Sequence, residues 1–324
     1  MAELIDAYGR HLNYVRISVT DRCNFRCTYC MPPEGVKCLA HDDIMRYEEI
    51  SLLCGALWDL GVRKFRFTGG EPLVRKDLIQ FLARLNTQLP GVKIALTTNG
   101  ALLEQYAEEL AKLKLHSLNI SLDTLDAGKF ASITRLGDIN IVMRGIKAAL
   151  KAKIRYIKLN TVLIRGFNDN EIADLLRFSR NEGLTLRLIE FMPLEDGVWD
   201  KSSFISGDEI LRMLPNAGFW VLDKRRMSID GPANYYVNEK SGDTIGIITA
   251  VSNHFCPNCN RLRVSASGNL RLCLFSPSEI PLRPMLLNRD TDALKRVILD
   301  NIADKPRCWD DIRTGQLHMS GIGG

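Results

Sequence analysis

Tyr14-Val-Arg-Ile-Ser-Val19 and, three residues further on, Cys23-Asn-Phe-Arg-Cys27-Thr-Tyr-Cys30 decide how this chain folds. A short strand pattern opens into a loop with three thiols in eight residues. Thiolate is a soft ligand that suits iron–sulfur clusters, zinc and copper(I). Spacings of three and two residues let one loop wrap a compact metal object. A closed structural zinc site takes four protein ligands, whereas a four-iron cluster on three thiolates keeps one iron open. The missing fourth thiol points to a cluster. A zinc knuckle with a ligand from elsewhere, or a disulfide plus a spare thiol, is the plainer alternative.

From this loop to about Met192, short β runs alternate with helical spacing. Lys64–Thr68, Lys93–Thr97, Ser117–Ser121, Tyr156–Val162 and Thr185–Glu190 read as strands. Apolar residues recur at helical intervals through Ile50, Leu53, Leu57 and Leu60, through Leu78, Phe81, Leu82 and Leu85, and through Leu103, Tyr106, Leu110 and Leu113. This alternation predicts parallel strands with crossovers, in an α/β barrel or a doubly wound sheet. Polar residues or the cysteine loop follow every strand. Turn chemistry alone accounts for any one of them, but ligands bind at the carboxyl ends of parallel strands. Arg16, Arg66 and Lys158 fall inside strand patterns, where a buried charge needs a partner. That partner is a ligand, or a barrel carboxylate such as Asp123 or Glu190.

Beyond about residue 195 the texture changes, which divides the chain into 1–200 and a smaller second domain, 201–324. Glu195-Asp-Gly-Val-Trp-Asp200 is loop-like, Ser206–Leu214 reads as a capped helix, and Tyr235–Asn238 with Thr244–Val251 as an antiparallel pair. A second triplet follows: Cys256-Pro-Asn-Cys259 and Cys273, with Arg261 and Arg263 between. Zinc with His254 as fourth ligand stays open here. The two arginines share one face of a strand and form either a clamp for carboxylate or phosphate or an exposed basic face. Cys54 reads as a small core residue, and nothing assigns Cys38 or Cys308.

Composition bounds the rest. Of 324 residues, 46% are hydrophobic and 25% charged, as in ordinary globular proteins. A net charge of +5 is too weak to argue for nucleic acid but suits an anionic substrate. No apolar run is long enough to span a membrane, and no secretory signal opens the chain. Nine cysteines without a signal predict a cytoplasmic protein that holds metal rather than disulfides.

The Cys23, Cys27, Cys30 loop with Tyr29 resembles the signature of radical S-adenosylmethionine (SAM) enzymes. Gly69-Gly70-Glu71 resembles that superfamily's motif for the methionine amino group. The segments Thr20–Pro32, Arg66–Leu73, Leu96–Gly100, Asn119–Asp123, Arg187–Met192, Phe255–Arg263 and the terminal Gly323-Gly324 resemble the GTP 3′,8-cyclases. That family begins molybdenum cofactor biosynthesis, and the resemblance spans residues 10 to 324.

The resemblance implies an incomplete TIM-type (βα)6 barrel, closed by a smaller C-terminal α+β domain. It implies two 4Fe-4S clusters, one on Cys23, Cys27 and Cys30, the other on Cys256, Cys259 and Cys273. Tyr29, Gly70, Glu71, Ser121 and Met192 match the SAM site. Arg16, Arg66, Thr97, Lys158, Arg261, Leu262 and Arg263 match the GTP site, with Arg16, Arg261 and Arg263 also expected in catalysis. The expected activity is reductive SAM cleavage to a 5′-deoxyadenosyl radical, which takes the 3′ hydrogen of GTP. Ring closure on C8 then gives (8S)-3′,8-cyclo-7,8-dihydroguanosine 5′-triphosphate. The alternative is another radical SAM enzyme with an auxiliary cluster, such as a peptide maturase. Implied partners are a flavodoxin- or ferredoxin-type electron donor and the enzyme forming cyclic pyranopterin monophosphate, with a homodimer left open. The family's Gly-Gly tail reaches the active site; Gly321 stands here where a bulkier residue is expected.

Overall fold

Strand residues alternate in character, and that alternation builds the molecule. In a computed structural model, which describes residues 3–193, 200–224 and 231–312, six strands come first. They are β1 (Tyr14–Ser18), β2 (Lys64–Thr68), β3 (Lys93–Thr98), β4 (Ser117–Ser121), β5 (Ile157–Leu163) and β6 (Thr185–Glu190). Between and after them lie α1 (Tyr47–Asp59), α2 (Leu78–Gln88), α3 (Leu103–Lys112), α4 (Ala127–Thr134), α5 (Ile139–Lys151), α6 (Ile172–Asn181) and α7 (Gly207–Met213). Strand β5 starts one residue later than its pattern predicts, because Tyr156 is 70% exposed and turns at φ 54°. Ser206 caps α7 by accepting from Glu209 N.

The remainder supplies β7 (Trp220–Leu222), β8 (Asn234–Asn238), β9 (Thr244–Ile248), β10 (Arg261–Val264), β11 (Asn269–Arg271), β12 (Ile280–Pro281), α8 (Arg283–Leu287) and α9 (Thr291–Ile302). All the strands join one sheet in the order β12-β11-β10-β1-β2-β3-β4-β5-β6-β9-β8-β7. Strands β1 to β6 are parallel neighbours. As predicted, β8 and β9 pair antiparallel. Less expectedly, β9 also pairs parallel with β6, and β10 parallel with β1. The C-terminal stretch therefore extends both edges of the barrel sheet instead of forming a sheet of its own. The two ends of the sheet are not hydrogen-bonded to each other among the described residues, so the barrel is open. No helix among them is long and apolar enough to cross a membrane.

On one face of the sheet stand Val15, Ile17, Phe65, Phe67, Leu96, Ile120, Leu159, Leu188, Leu262 and Val264, all buried and packed with the helices in one apolar cluster. Each such side chain contributes about 1.5–3 kcal/mol on burial. The alternate positions, two apart on each strand, carry Tyr14, Arg16, Arg66, Thr97, Asn119, Ser121, Asn160, Arg187, Arg261 and Arg263, which line one cavity together. A sheet whose edge strands face the same cavity as its middle has curled. The Gly323-Gly324 tail, Gly321 and residues 195–199 of the expected loop lie outside the described residues.

Candidate functional site

At the carboxyl end of β1 the cysteine loop rests on the end of β2. Val19 N donates to Thr68 O (2.8 Å), Gly70 N to Thr20 O (2.9 Å) and Glu71 N to Arg22 O (2.8 Å). The loop approaches so closely that a Cβ on Gly70 would lie 2.4 Å from Arg22 O, and one on Gly69 2.3 Å from Thr20 O. Both positions must be glycine for the strand end to carry the loop. Glu71 is fully buried and faces away from the cavity. Its Oε1 accepts from Thr98 Oγ1 (2.8 Å) and Leu73 N (3.0 Å), and its Oε2 from Asn99 N (2.6 Å). Burial pushes this carboxyl up to about 7 against those three hydrogen bonds. Its side chain thus holds the turn after β3, just behind the glycine pair of the strand end.

Cys23, Cys27, Cys30, Tyr29, Gly70, Ser121 and Met192 all line the cavity at this end. Burial raises the Cys27 thiol well above its usual range, helped by Cys30, Asp123 and Cys23; burial also raises Cys23. Tyr29 Oη donates to Asp123 Oδ2 (2.6 Å), while Asp123 Oδ1 accepts from Val162 N (2.8 Å). Burial lifts Asp123 to about 6 despite these bonds.

Deeper in the barrel the lining is cationic. Strand register places Arg263, Arg16 and Arg66 on one rung across β10, β1 and β2. Arg187 joins them from β6 and Arg261 from one rung lower, beside Tyr14. Five arginines therefore face one carboxylate, Asp123, among the described lining residues. Arg66 is held by Tyr14 Oη (2.7 Å), Leu96 O (2.8 Å), Thr97 Oγ1 (3.1 Å) and Ser117 Oγ (2.9 Å), which also orients Thr97. Burial disfavours the Tyr14 phenolate, but Arg66, Arg16 and Lys64 outweigh it and bring the phenol down to about 7. Burial and then Arg263 pull Arg16 well below its usual value. This much buried positive charge costs several kcal/mol per ion unless a counter-charge arrives. The cavity is built for an anion.

The second triplet lies at the opposite end. Cys256 and Cys259 precede β10, which runs parallel to β1, so they sit at the amino end of these strands. Cys273 follows β11, and the antiparallel pairing of Arg271 with Arg263 returns it to the same end. Four strand steps of about 3.3 Å, plus the loops, separate this level from the first loop. Phe255, Arg261 and Leu274 bring the triplet's neighbourhood into the cavity. Although burial opposes ionisation, Arg261 and Lys305 draw Cys259 down to about 6.

Neither triplet converges as tightly as a single ion requires. Zinc–sulfur bonds of about 2.3 Å would draw tetrahedral thiolates to about 3.8 Å from one another. Among the described residues, the one trio of donor atoms within 4.8 Å is His254, Cys308 and Asp310. The wider spread of the cysteines fits a multi-iron cluster. His254 has other partners: its Nδ1 lies 2.5 Å from the Trp309 Nε1 donor and its Nε2 3.2 Å from Asp310. With Asp310 it stands beside Cys308, whose thiol is hydrogen-bonded with Cys256.

Besides Glu71, two of the expected positions are not among the cavity-lining residues. Leu262 points into the apolar core at 0% exposure, because it alternates with Arg261 and Arg263. Lys158 is buried with its Nζ 5.8 Å above the Tyr235 ring, outside the lining. Asn119, Asn160, Arg187, Tyr14 and Asp123 line the cavity without having been singled out. Strand parity reveals Tyr14, Asn119 and Asn160, each two residues from an expected site residue, and then Arg187, which is in register with Asn160. The sequence offers Asp123 only as a barrel carboxylate.

An open parallel barrel with three thiolates at the carboxyl end of its first strand defines a class, and residues 17–179 match the Radical SAM superfamily. Residues 184–310 match Molybdenum Cofactor Synthesis C. The chain is 44% identical to a GTP 3′,8-cyclase of Desulforamulus reducens, over 99% of this chain and 100% of the relative. It is 46% identical to a GTP 3′,8-cyclase of Peptoclostridium acidaminophilum, over 94% and 92%. The chain belongs to the GTP 3′,8-cyclase family of radical SAM enzymes. Streptococcus suis SuiB bound to precursor peptide SuiA shares the fold alone, with TM-score 0.66 and 14% identity over 93% of this chain and 67% of that one.

Proposed function

We propose that the two ends of this cavity divide one reaction, the conversion of GTP to its 3′,8-cyclised dihydroguanosine triphosphate in molybdenum cofactor synthesis. Residues 1–200 hold SAM and its 4Fe-4S cluster, and residues 201–324 complete the substrate site. When bound, the Cys23, Cys27, Cys30 cluster and SAM supply a 5′-deoxyadenosyl radical for the 3′ hydrogen of GTP. The rest is the work of this chain's residues. Gly70 offers main chain where no side chain fits, Ser121 and Met192 flank the cofactor, and Asp123 steadies Tyr29. Arg16, Arg261 and Arg263 take the triphosphate by forked, charge-assisted hydrogen bonds. Arg66, most of whose donors are held by Tyr14, Leu96, Thr97 and Ser117, adds its fixed charge, and Thr97 stands beside them. The Leu262 main chain acts from behind this wall, and Lys158 adds its charge from the inward face of β5, in register with Asn119.

A second 4Fe-4S cluster on Cys256, Cys259 and Cys273 would meet the guanine end of GTP. The sugar then lies between the ends, as the chemistry requires. A low-potential flavodoxin- or ferredoxin-type protein supplies electrons, and the product goes to the enzyme that forms cyclic pyranopterin monophosphate.

The observation that carries this reading is five cavity arginines between two thiol triplets. Incubating iron-reconstituted protein with SAM, dithionite and GTP tests it. The expected result is 5′-deoxyadenosine together with the cyclised nucleotide. Deoxyadenosine without GTP consumption would refute the substrate assignment and leave the radical chemistry standing.

A further inference from the structure

Lys305, just beyond α9, is 2% exposed and is not among the residues lining the arginine cavity. Its Nζ donates to Arg261 O (3.1 Å) and to Leu272 O. Arg261 opens β10 two residues after Cys259, and Leu272 immediately precedes Cys273. One buried ammonium thus ties together the two strand ends that carry these thiols. Arg10 performs the matching task for the third, donating to Cys256 O (2.9 Å) and to Pro306 O (2.7 Å) and Arg307 O (3.1 Å) in the segment just after Lys305. The two cations differ in one respect. Arg10 has its own carboxylate, Asp6 Oδ2 at 2.6 Å, whereas the hydrogen-bond acceptors of Lys305 are neutral carbonyls.

A buried cation held by neutral acceptors needs a counter-charge, and the cysteines whose thiolates would supply it as metal ligands are Cys259 and Cys273. Net charge and fixed groups around a cluster set its reduction potential, and adding an electron adds negative charge. We propose that Lys305 is the positioning residue of the second triplet, joining Cys259 to Cys273 and holding the reduction potential of their cluster up. This rests on the second-cluster reading.

The test uses the full chain with Cys23, Cys27 and Cys30 replaced by alanine, so that only the second cluster reports. Iron per chain and an EPR-monitored redox titration are compared for Lys305, Lys305→Gln and Lys305→Arg. The glutamine keeps a donor without charge, and the arginine keeps the charge. In Lys305→Gln the equilibrium constant for reduction should fall at least tenfold, a 59 mV drop for one electron, while Lys305→Arg stays within about threefold of the parent. Iron loading lost in Lys305→Gln and retained in Lys305→Arg also supports the proposal. An unchanged potential in a fully loaded Lys305→Gln overturns it, and so does equal loss of loading in both variants. If the parent with Lys305 intact binds no cluster, the second-cluster reading itself has failed.

Discussion

The two cysteine triplets are alike in number and opposite in setting. Cys23, Cys27 and Cys30 sit on one continuous loop, with Asp123 and Glu71 as neighbouring acids, and burial raises the Cys23 and Cys27 thiols. Cys256, Cys259 and Cys273 are gathered from two strand ends by Lys305 and Arg10, and cations draw Cys259 down to about 6. A loop clamped onto Gly69 and Gly70 suits a site whose metal carries a small cofactor. A site ringed by fixed cations suits one that meets a polyanion. Two triplets that each lack a fourth thiol therefore sit in opposite electrostatic surroundings.

The sharpest way to break this comparison is to delete each triplet in turn. Replacing Cys23, Cys27 and Cys30 with alanine should remove about four irons per chain and abolish 5′-deoxyadenosine formation. Replacing Cys256, Cys259 and Cys273 should remove a similar amount of iron and abolish cyclisation, but leave SAM cleavage measurable by liquid chromatography. Loss of SAM cleavage in both variants would end the division of labour. A smaller effect belongs to Arg261→Ala. Losing charge-assisted hydrogen bonds of about 1.5–3 kcal/mol should raise the KM for GTP roughly 10- to 100-fold and leave the KM for SAM unchanged. Equal changes in both would place Arg261 in the fold rather than at the substrate.

How much of this was legible in sequence depended on whether the signal was local. The six strands could be read because apolar outer residues largely alternate with polar inner ones, as in Val15, Arg16 and Ile17, with Ala95, Val162 and Ile189 as apolar inward exceptions. The cysteine loop and Gly69-Gly70 could be read because their constraint lies within a few residues. The parallel pairing of β9 with β6 and of β10 with β1 could not, since non-consecutive parallel neighbours leave no mark in local periodicity. For the same reason Lys305 and Arg10 were invisible: the carbonyls they hold are 33 to 297 residues away. For Leu262 and Glu71 the motif named only a segment, whereas their side-chain directions follow from parity and burial.

The electrostatic contrast also predicts different thiol reactivity in the metal-free protein. At pH 7 a thiol titrating at about 6 is mostly thiolate, whereas an ordinary thiol is only a few per cent ionised. Lower intrinsic nucleophilicity offsets part of that advantage. Cys259 should still alkylate several-fold faster than Cys27, as read by peptide mass spectrometry after an anaerobic iodoacetamide pulse. Its labelling should fall as pH drops through about 6, while Cys27 labels only above the ordinary thiol range. Equal rates at pH 7 would erase the contrast.

Asp123 offers the mildest test, because it acts at the first site through Tyr29. Above about pH 6 its carboxylate is charged and accepts from Tyr29 Oη at 2.6 Å. Asp123→Asn keeps an acceptor for Val162 N but gives up the charge-assisted bond, a difference of about 1 kcal/mol. The KM for SAM should rise roughly fivefold, with the KM for GTP unchanged. The sign of the pH effect follows from the raised carboxyl. As pH falls through about 6, the native chain protonates Asp123 and its KM for SAM should climb towards that of the variant, which stays flat. A native profile as flat as the variant's would show that the Tyr29 contact orients nothing the cofactor feels, and the first site would then depend on its backbone clamp alone.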